Sequence, residues 1–308
     1  MAIDRRGVNQ LFGQYLNGRI WNEDEHTTTG RIFWVDSNSA SASDAATHGW
    51  NPGAPFATID YAVGQCTDND YDIIYVMPEH AETIAAAAGI VLDVIGVRVI
   101  GLGEGTNRPH ITFDGGGVDT AVDIDFDANN VIVENIRFTN TEDGALAPLD
   151  INAAYCQVNN CKFTDAGTDN TIDWILLDAN ADYFECHDCW NEGTDTGGND
   201  SFLSTPASTG LTIKGLRSHG DFAAANIECT AAAARWLIED CVLENANAVD
   251  VNVEGFAATT GMLIECSCKI ATDAQVTWFN TGGAASVFRT YGVNDNGETG
   301  IIVAAASV

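Results

Sequence analysis

The sequence predicts an all-β protein, folded as a right-handed, single-stranded parallel β-helix of about nine coils with an N-terminal cap and a short arm. Two observations lead to this prediction. Short segments of similar pattern recur about every 26 residues through the second half of the chain, and their apolar and polar residues alternate as in strands. Long helical patterns are absent, and the alanine runs Ala85–Ala88 and Ala231–Ala234 are too short to form stable helices by themselves.

Six eight-residue segments carry the repeat, and their first and third residues are of types that can be buried. The segments begin at Val131, Cys156, Phe184, Leu211, Trp236 and Met262. Their third residues are Val133, Val158, Cys186, Ile213, Ile238 and Ile264. Stacked coils lie about 4.8 Å apart, so we expect each of these sets to form one buried column. Propeller blades need a longer repeat, and the leucine-rich pattern is missing.

A second strand precedes each segment, and a turn falls inside it. The recurring residues of the second strand are Ile124, Ile151, Leu177, Leu203, Ile227, Val253 and Phe279. The fifth residues of the segments are Asn135, Asn160, Asp188, Gly215, Asp240 and Cys266. Asn, Asp and Gly tolerate the left-handed backbone conformation of a sharp bend, so this column predicts a corner of the coil.

The nine cysteines fit the repeat better than a disulfide framework, because their number is odd and no secretory signal precedes them. Cys161, Cys189 and Cys241 share the sixth, inward position with Ile136 and Leu216. We expect these three thiols to be reduced, buried and metal-free. The alternative is a zinc site at the Cys186–Cys189 pair, which would need a second pair to converge on it.

The composition excludes several classes of function. The chain has 308 residues, 45% of them hydrophobic, which is enough for a large core. It carries 44 acidic and 13 basic residues, a net charge of -31. We therefore expect no nucleic-acid partner and no membrane partner. An anionic substrate such as pectate would be repelled unless a metal or a local arginine intervened. No apolar stretch approaches the roughly 18 residues of a membrane-spanning helix.

The repeat divides the chain into an arm and a β-helix. Residues 1–30 do not match the repeat and form the predicted arm. Residues 31–308 form the predicted β-helix domain, with a cap over 31–70 that contains a short helix around Thr58–Cys66, and coils over 71–305. The apolar segment 300–308 is expected to close the far end or to dock. We expect the arm to bind a partner through Arg5, Arg6, Leu11, Phe12, Tyr15 and Trp21.

An acidic row is the candidate metal site. Asp123, Asp125 and Asp127 alternate along one strand, so all three should face outward, and Asp150 and Asp178 follow in later coils. A row of carboxylates could hold calcium. The alternative is a solvated acidic face in an acidic protein. We expect no bound cofactor and keep calcium as the alternative.

No complete catalytic set is present, and the remaining candidates are single residues. Arginines occur in scattered coils. His219 could pair with Asp221, although a histidine in a loop is the simpler interpretation. His187 lies on an outward strand position. His110 follows Arg108 in a predicted glycine-rich turn. The aromatic candidates for a sugar-binding groove are Trp174, Trp190, Trp236 and Trp278, of which Trp236 falls on an inward column.

Three segments near the start of the β-helix carry a family resemblance. Val35-Asp36-Ser37 precedes a loop, Pro55-Phe56-Ala57-Thr58-Ile59 opens a short helix, and Ile74-Tyr75-Val76-Met77-Pro78 starts the first coil. This order resembles the entry to pectate-lyase-like right-handed β-helix proteins, and residues 97–115 resemble the following coils, particularly those encoded by bacteriophages. The resemblance covers roughly residues 30–300. In that superfamily, pectate lyases hold calcium in acidic clusters and use an arginine as the base.

This resemblance implies a structural virion protein of a tailed bacteriophage, as a capsid decoration, fibre or spike component. It would be assembled in the host cytoplasm and anchored to other capsid or tail proteins through its N-terminal arm. A rod of this kind suits a homotrimer, and a host glycan is a further candidate partner. The alternative is a tailspike-type lyase or hydrolase that degrades polysaccharide. An adhesin is a third interpretation. Assays on a polysaccharide panel separate the first two.

Overall fold

The computed structural model describes most of the chain from residue 30 onwards. The described residues are 30–116, 121, 123–142, 144–166, 171–193, 199–231, 233–247, 251–255, 259–270, 279–280, 287–291 and 294–295. The arm residues Arg5, Arg6, Leu11, Phe12, Tyr15 and Trp21, and the closing segment 300–308, lie outside these ranges.

The strands form three long sheets, which we call A, B and C, and every strand pairing is parallel. Sheet A contains β1 (Ile32–Val35), β2 (Ile73–Val76), β5 (Arg98–Gly101), β8 (Ile132–Glu134), β11 (Gln157–Asn159), β14 (Glu185–His187), β17 (Thr212–Lys214), β20 (Trp236–Glu239), β23 (Thr260–Ile264) and β26 (Val287–Tyr291). Sheet B contains β3 (Ala81–Ile84), β6 (His110–Phe113), β9 (Arg137–Asn140), β12 (Lys162–Asp165), β15 (Trp190–Glu192), β18 (Arg217–Gly220), β21 (Val242–Asn245), β24 (Ser267–Ile270) and β27 (Asn294–Asp295).

Sheet C contains β4 (Ile90–Val91), β7 (Ile124–Phe126), β10 (Leu149–Ile151), β13 (Asp173–Leu177), β16 (Asn199–Thr205), β19 (Phe222–Cys229), β22 (Val251–Glu254) and β25 (Phe279–Asn280). The chain visits the sheets in the order A, B, C in each coil, and each strand pairs with its counterparts in the coils before and after. This is a parallel β-helix, as the repeat predicted. Each coil has three strands, and the eight-residue segments of the sequence span a strand of A, a corner and the start of a strand of B.

The predicted inward column of sheet A is confirmed for five of its six members, and the last segment was aligned one residue too late. Ile238 pairs with Leu263, which is buried, and not with Ile264, which is half-buried. Met262 is consequently 38% exposed. A shift of one residue exchanges the two faces of a strand. The corrected register puts Cys266 in the sixth position, where it is buried, and Glu265 at the corner.

The predicted column of sheet C mixes two neighbouring inward columns. Ile124 pairs with Leu149, whereas Ile151 pairs with Phe126 and Leu177. All five side chains are buried. The prediction that they face inward is therefore right, and the assignment of Ile124 and Ile151 to one column is wrong. Both residues face inward because they are two positions apart in equivalent strands.

The fifth position is the corner between sheets A and B. The left-handed conformation predicted there is present, with φ between 51° and 67°, at Asn135, Asn160, Asp188, Gly215, Asp240 and Glu265. The Asn160 amide donates to Oδ1 of Asn135 in the coil before it, at 3.1 Å, so the corner side chains also form a ladder. A second left-handed column precedes sheet A, and here Tyr155 and Tyr183 stack with ring centres 4.9 Å apart.

The interior is filled by stacked apolar side chains. Phe138 and Phe163 stack at 5.3 Å between ring centres, and Trp174 packs edge-on against Phe163. Cys161 and Cys189 occupy neighbouring coils of one inward column, as predicted, and both are buried. Burial raises the pKa of both thiols well above the usual value, so they are held as neutral, small apolar groups.

The segment before the first complete coil contains the predicted short helix, α1 (Ile59–Val63). A single turn of 3-10 helix, Gly105–Asn107, lies between β5 and β6. The Thr58 hydroxyl accepts from the Tyr61 N–H and caps α1. Ile59 and Val63 are buried against the core. None of the helices in the described ranges is long and apolar enough to cross a membrane.

Candidate functional site

A row of basic and aromatic side chains runs along the outer face of sheet B. The register pairs His110 with Arg137, Arg137 with Lys162, Lys162 with Trp190, and Trp190 with Arg217. All five face outward, because the residues that follow them in these strands point into the interior and are buried. We call these five residues the basic strip. It contains three of the chain's 13 lysines and arginines.

The expectation that the arginines are scattered over the coils is wrong for Arg137 and Arg217. Both occupy the seventh position of the repeat, three coils apart, with Lys162 and Trp190 at the same position between them. A signal was available, because the seventh residues of the first four segments read Arg, Lys, Trp and Arg. His110 also lies in the strip, at the start of β6 and not in the turn predicted for it.

The charges of the basic strip are only partly neutralised by the protein. The Lys162 ammonium lies 2.7 Å from Oε2 of Glu192 and 5.2 Å from the centre of the Trp190 ring. Within the described part of the chain, no carboxylate forms an ion pair with Arg137 or Arg217. The buried Nε of Arg137 has no hydrogen-bond partner there. The two arginines can therefore receive an anion from solution.

The imidazole of His110 extends the basic strip toward the N-terminal end of the sheet. Its Nε2 lies 2.8 Å from the hydroxyl of Thr139. Desolvation by burial and the neighbouring Arg137 guanidinium lower the pKa of His110, so the ring is neutral at neutral pH. A bound anion would counteract the effect of the Arg137 charge on this pKa, but it would not restore water to the ring.

A ladder of hydroxyl groups flanks the basic strip. Thr112, Thr139 and Thr164 lie two positions beyond His110, Arg137 and Lys162 in the same strands, and Thr83 of β3 pairs with Thr112 at the start of the ladder. A hydroxyl group both donates and accepts hydrogen bonds. Charged groups on one column and hydroxyl groups on the next, both repeated at the spacing of the coils, form a face that can bind an extended polar chain lying parallel to the axis.

Carboxylates and a histidine continue the threonine column beyond Thr164. The next members are Glu192, His219 and Glu244. The sequence favoured a loop position for His219, but this residue lies in β18. Its Nδ1 is 3.3 Å from Oε2 of Glu244. His187 faces outward on sheet A, as predicted, with its Nε2 3.6 Å from Oε2 of Glu185.

The predicted acidic row exists on the outer face of sheet C. Asp125 pairs with Asp150 in the next coil. The negative charges of the nearby Asp123, Asp127 and Asp178 contribute to raising the pKa values of this pair. Desolvation, followed by the negative charge of the neighbouring carboxylates, raises the pKa of both Asp125 and Asp150 to about 6. A second acidic group lies further along the sheet, where desolvation raises the pKa of Asp173 to about 7.

This arrangement does not by itself define a metal site. Among the described residues, no three His, Cys, Asp or Glu side chains are placed to share one ion. The carboxylates of Asp123 and Asp127 are instead used in hydrogen bonds, to the Ala88 N–H and to the Asn152 amide. Calcium binding by Asp123, Asp125 and Asp127 stays a prediction of the sequence.

The tryptophans divide into core and surface residues. Trp174 had been a candidate for a groove, but it is fully buried, because it packs with Phe113 and Phe163 inside the solenoid. Trp236 is buried on its inward column, as predicted. Trp190 is 52% exposed. Trp278 lies outside the described residues.

Comparisons with known proteins agree with the fold. No protein-family profile and no curated protein matches the sequence. Among solved structures, the chain is similar to the crystal structure of pectate lyase Pel9A, with a TM-score of 0.54 and 12% identity over 92% of this chain and 83% of that one. It also matches a structure described as rhamnogalacturonan lyase, with a TM-score of 0.48 and 10% identity over 89% of this chain and 90% of that one. At this identity the likeness to Pel9A shows the shared pectate-lyase-like β-helix fold.

Proposed function

We propose that this protein binds an acidic polysaccharide along the basic strip of sheet B. The observation that carries the proposal is the single column of His110, Arg137, Lys162, Trp190 and Arg217 on a chain of net charge -31. An acidic chain would otherwise be repelled, so the local concentration of cations is what permits binding.

Each part of the basic strip has a role in this binding. The guanidinium groups of Arg137 and Arg217 suit carboxylate or sulfate groups, because they donate paired hydrogen bonds in a planar arrangement. The exposed indole of Trp190 offers an apolar face for stacking by a sugar ring. The coil spacing of about 4.8 Å is close to the length of one sugar unit in an extended chain. The threonine hydroxyls meet the sugar hydroxyls.

Retardation of the protein by a panel of polysaccharides tests the proposal. All samples are compared at the same ionic strength, because salt screens both the attraction of an acidic polysaccharide to the basic strip and its repulsion by the rest of the acidic protein. The panel contains polygalacturonate and neutral dextran. We expect the native protein to be retarded by polygalacturonate and not by dextran, and the Arg137→Ala/Arg217→Ala variant to lose that retardation. Arg235→Ala is the matched control, because Arg235 is exposed but contacts Tyr183 at a different corner. Equal retardation of all three proteins would contradict the proposal.

A second function is cleavage of the bound chain, as in the lyase or hydrolase alternative. It is favoured by the His219–Glu244 contact at 3.3 Å, which places an acid-base pair two residues from the basic strip. Incubation with polygalacturonate and detection of unsaturated or reducing-end products decides between binding alone and cleavage. Products that disappear in His219→Gln would establish cleavage; binding without products would leave a binding protein.

We also propose that the molecule is a virion component of a tailed bacteriophage and that it recognises a host glycan there. The resemblance of residues 97–115 to coils of phage-encoded β-helices supports this proposal, as does the stiffness of a body whose backbone hydrogen bonds run along its axis. Capsid or tail genes beside its own gene would be expected. Immunogold labelling of purified particles tests the location, and absence of label from all particles would contradict it.

A further inference from the structure

Two tyrosines lie at the corner that precedes sheet A. In successive coils this corner holds Asn130, Tyr155, Tyr183, Gly210 and Arg235, all with φ between 58° and 80°. Glycine and asparagine adopt this left-handed conformation readily, whereas a bulky residue rarely does. The backbone of the corner does not call for a tyrosine, so the reason for the two rings lies in what their side chains do.

The ring of Tyr183 is held from both sides. Tyr155 stacks on it, with ring centres 4.9 Å apart and ring planes 1° apart. From the later coils, the Arg235 guanidinium lies 5.6 Å from the ring centre and donates to the Tyr183 hydroxyl at 3.0 Å. Gly210 leaves room for this contact, because a Cβ there would lie 2.5 Å from Cδ1 of Tyr183. Tyr183 is thus a fixed support for Tyr155.

One face of the Tyr155 ring is open to solvent. Tyr155 is 51% exposed, although Tyr183 covers one face of its ring. The opposite face is directed toward the preceding coil, where Asn130 occupies the same corner and is exposed. We call Tyr155, Tyr183 and Arg235 the Tyr155 platform. An aromatic ring that is fixed on one face and open on the other can stack on the apolar C–H face of a sugar.

A hydrogen-bond donor lies beside the Tyr155 platform. Oδ1 of Asn129 accepts from the N–H of Ala154, the residue before Tyr155, at 3.0 Å. This contact fixes the side chain, and the amide nitrogen of the exposed Asn129 serves as the donor. An acetamido group suits such a neighbour, because its carbonyl oxygen accepts a hydrogen bond and its methyl group is apolar.

We propose that the Tyr155 platform and Asn129 bind one N-acetylhexosamine residue of a neutral glycan. The sugar ring stacks on Tyr155, and the acetamido oxygen accepts from the Asn129 amide. A neutral ligand is not repelled by the net charge of -31. The open aromatic surface has the size of one ring, which fits a sugar and is far smaller than a protein interface. The strands of sheet A separate this site from the basic strip, so it is independent of the acidic-polysaccharide proposal.

The first test compares N-acetylated chitotriose with cellotriose, which has the same β-1,4-linked rings but no acetamido groups. We expect about tenfold tighter binding of chitotriose, as one good hydrogen bond provides. Tyr155→Gly should weaken chitotriose binding by about tenfold, because it removes the aromatic face. Glycine suits the backbone there, since Tyr155 has φ 61°. NMR titration gives the dissociation constants.

Tyr71→Gly is the matched control for the loss of a ring. Tyr71 has φ 59° and is 50% exposed at the same corner, but its ring lies against Gly96 and not against a second aromatic ring. The control should bind chitotriose as the native protein does. Equal losses in the two glycine variants, or no binding of chitotriose by the native protein, would overturn the proposal.

The second test removes only the donor. Asn129→Asp keeps an acceptor for the Ala154 N–H, as Asp182 does two coils later, where its Oδ1 accepts from the Thr209 N–H at 2.7 Å. This variant should unfold at the native temperature and bind chitotriose no more tightly than cellotriose. A retained preference for chitotriose would overturn the proposal. The Arg137→Ala/Arg217→Ala variant should bind chitotriose normally while polygalacturonate binding is lost, so the two proposed sites can fail separately.

Discussion

The ammonium group of Lys162 lies 5.2 Å from the centre of the Trp190 ring, one coil further along sheet B. A cation over an indole face orients the ring, and Glu192 holds the same ammonium at 2.7 Å. The indole is thus placed between two positive side chains, Lys162 and Arg217, with its exposed surface toward solvent. This relationship makes Trp190 the aromatic centre of the basic strip.

We expect Trp190→Ala to weaken polygalacturonate binding by about 1–2 kcal/mol, a typical contribution for an aromatic contact at a binding surface. Trp190→Phe should retain part of the affinity. The midpoint of thermal unfolding should change little, because half of the side chain is exposed. Trp50→Ala is the matched control, since Trp50 is also 52% exposed but lies in the N-terminal cap region. Calorimetric titration measures the difference, and equal losses in both alanine variants would count against a specific site.

The acidic face of sheet C predicts a pH dependence of stability. The pKa of both Asp125 and Asp150 is raised to about 6, above the ordinary value of 3.8. The folded protein therefore binds protons more tightly than the unfolded chain, and these groups make it more stable as the pH falls through 6. We expect the free energy of unfolding in urea to increase from pH 7.5 to pH 5.

Asp125→Asn/Asp150→Asn should increase the stability at pH 7.5 and flatten this pH profile, because the variant no longer carries the two negative charges that desolvation and the neighbouring carboxylates disfavour. Asp93→Asn is the control for a change of charge alone, since Asp93 is exposed in the segment between β4 and β5. A double variant that is less stable than the native protein at pH 7.5 would contradict this account and would indicate that the carboxylates have a stabilising partner.

The corner column predicts the effect of glycine substitutions. Gly215 has φ +67°, and a Cβ there would lie 2.3 Å from Oδ1 of Asp188. Gly215→Val should cost about 2 kcal/mol of unfolding free energy through backbone strain and this contact. Gly64→Ala should be nearly neutral, because Gly64 is at φ -61° and the nearest atom would be 3.5 Å away. Chemical unfolding of the two variants gives the comparison, and equal stability would refute the strain at the corner.

The buried thiols predict a lack of reactivity. We expect Cys161 and Cys189 to resist alkylation in the folded protein, since burial keeps the pKa of both thiols high and few thiolates form. Mass spectrometry of labelled peptides before and after unfolding provides the measurement. Incubation with a zinc chelator should not change the unfolding curve. A chelator-induced loss of stability would instead favour the zinc interpretation of the Cys186–Cys189 pair.

Much of the fold could be predicted from the sequence because inward columns are a local property. Val133, Val158 and Ile213 are all buried at the same position of successive coils, so an apolar residue recurs there at a regular spacing. That spacing can be read from the sequence. The error at Met262 has an equally local cause: Met262, Leu263 and Ile264 are all apolar, so periodicity alone does not fix which of them faces inward.

The basic strip was not predicted, although its members share one position of the repeat. The inward columns are apolar in every coil and therefore stand out in the sequence, whereas the outward seventh position holds Arg, Lys, Trp and Arg in successive coils. Trp174 shows the opposite error. Trp174 was a candidate for a sugar-binding groove because it is aromatic, but it packs with Phe113 and Phe163 inside the solenoid.

The sequence by itself determined the repeat, the all-β class, the left-handed corner and the burial of Cys161 and Cys189, because each of these depends on spacing along the chain. Only the tertiary structure decided which distant residues become neighbours. Arg137 and Arg217 join the basic strip, Asp125 lies beside Asp150, and Ile73 and Ile100 pack in one apolar cluster on sheet A. The physical reason is that stacking places side chains from successive coils side by side. Which charges and which apolar side chains become neighbours depends on the register between the strands.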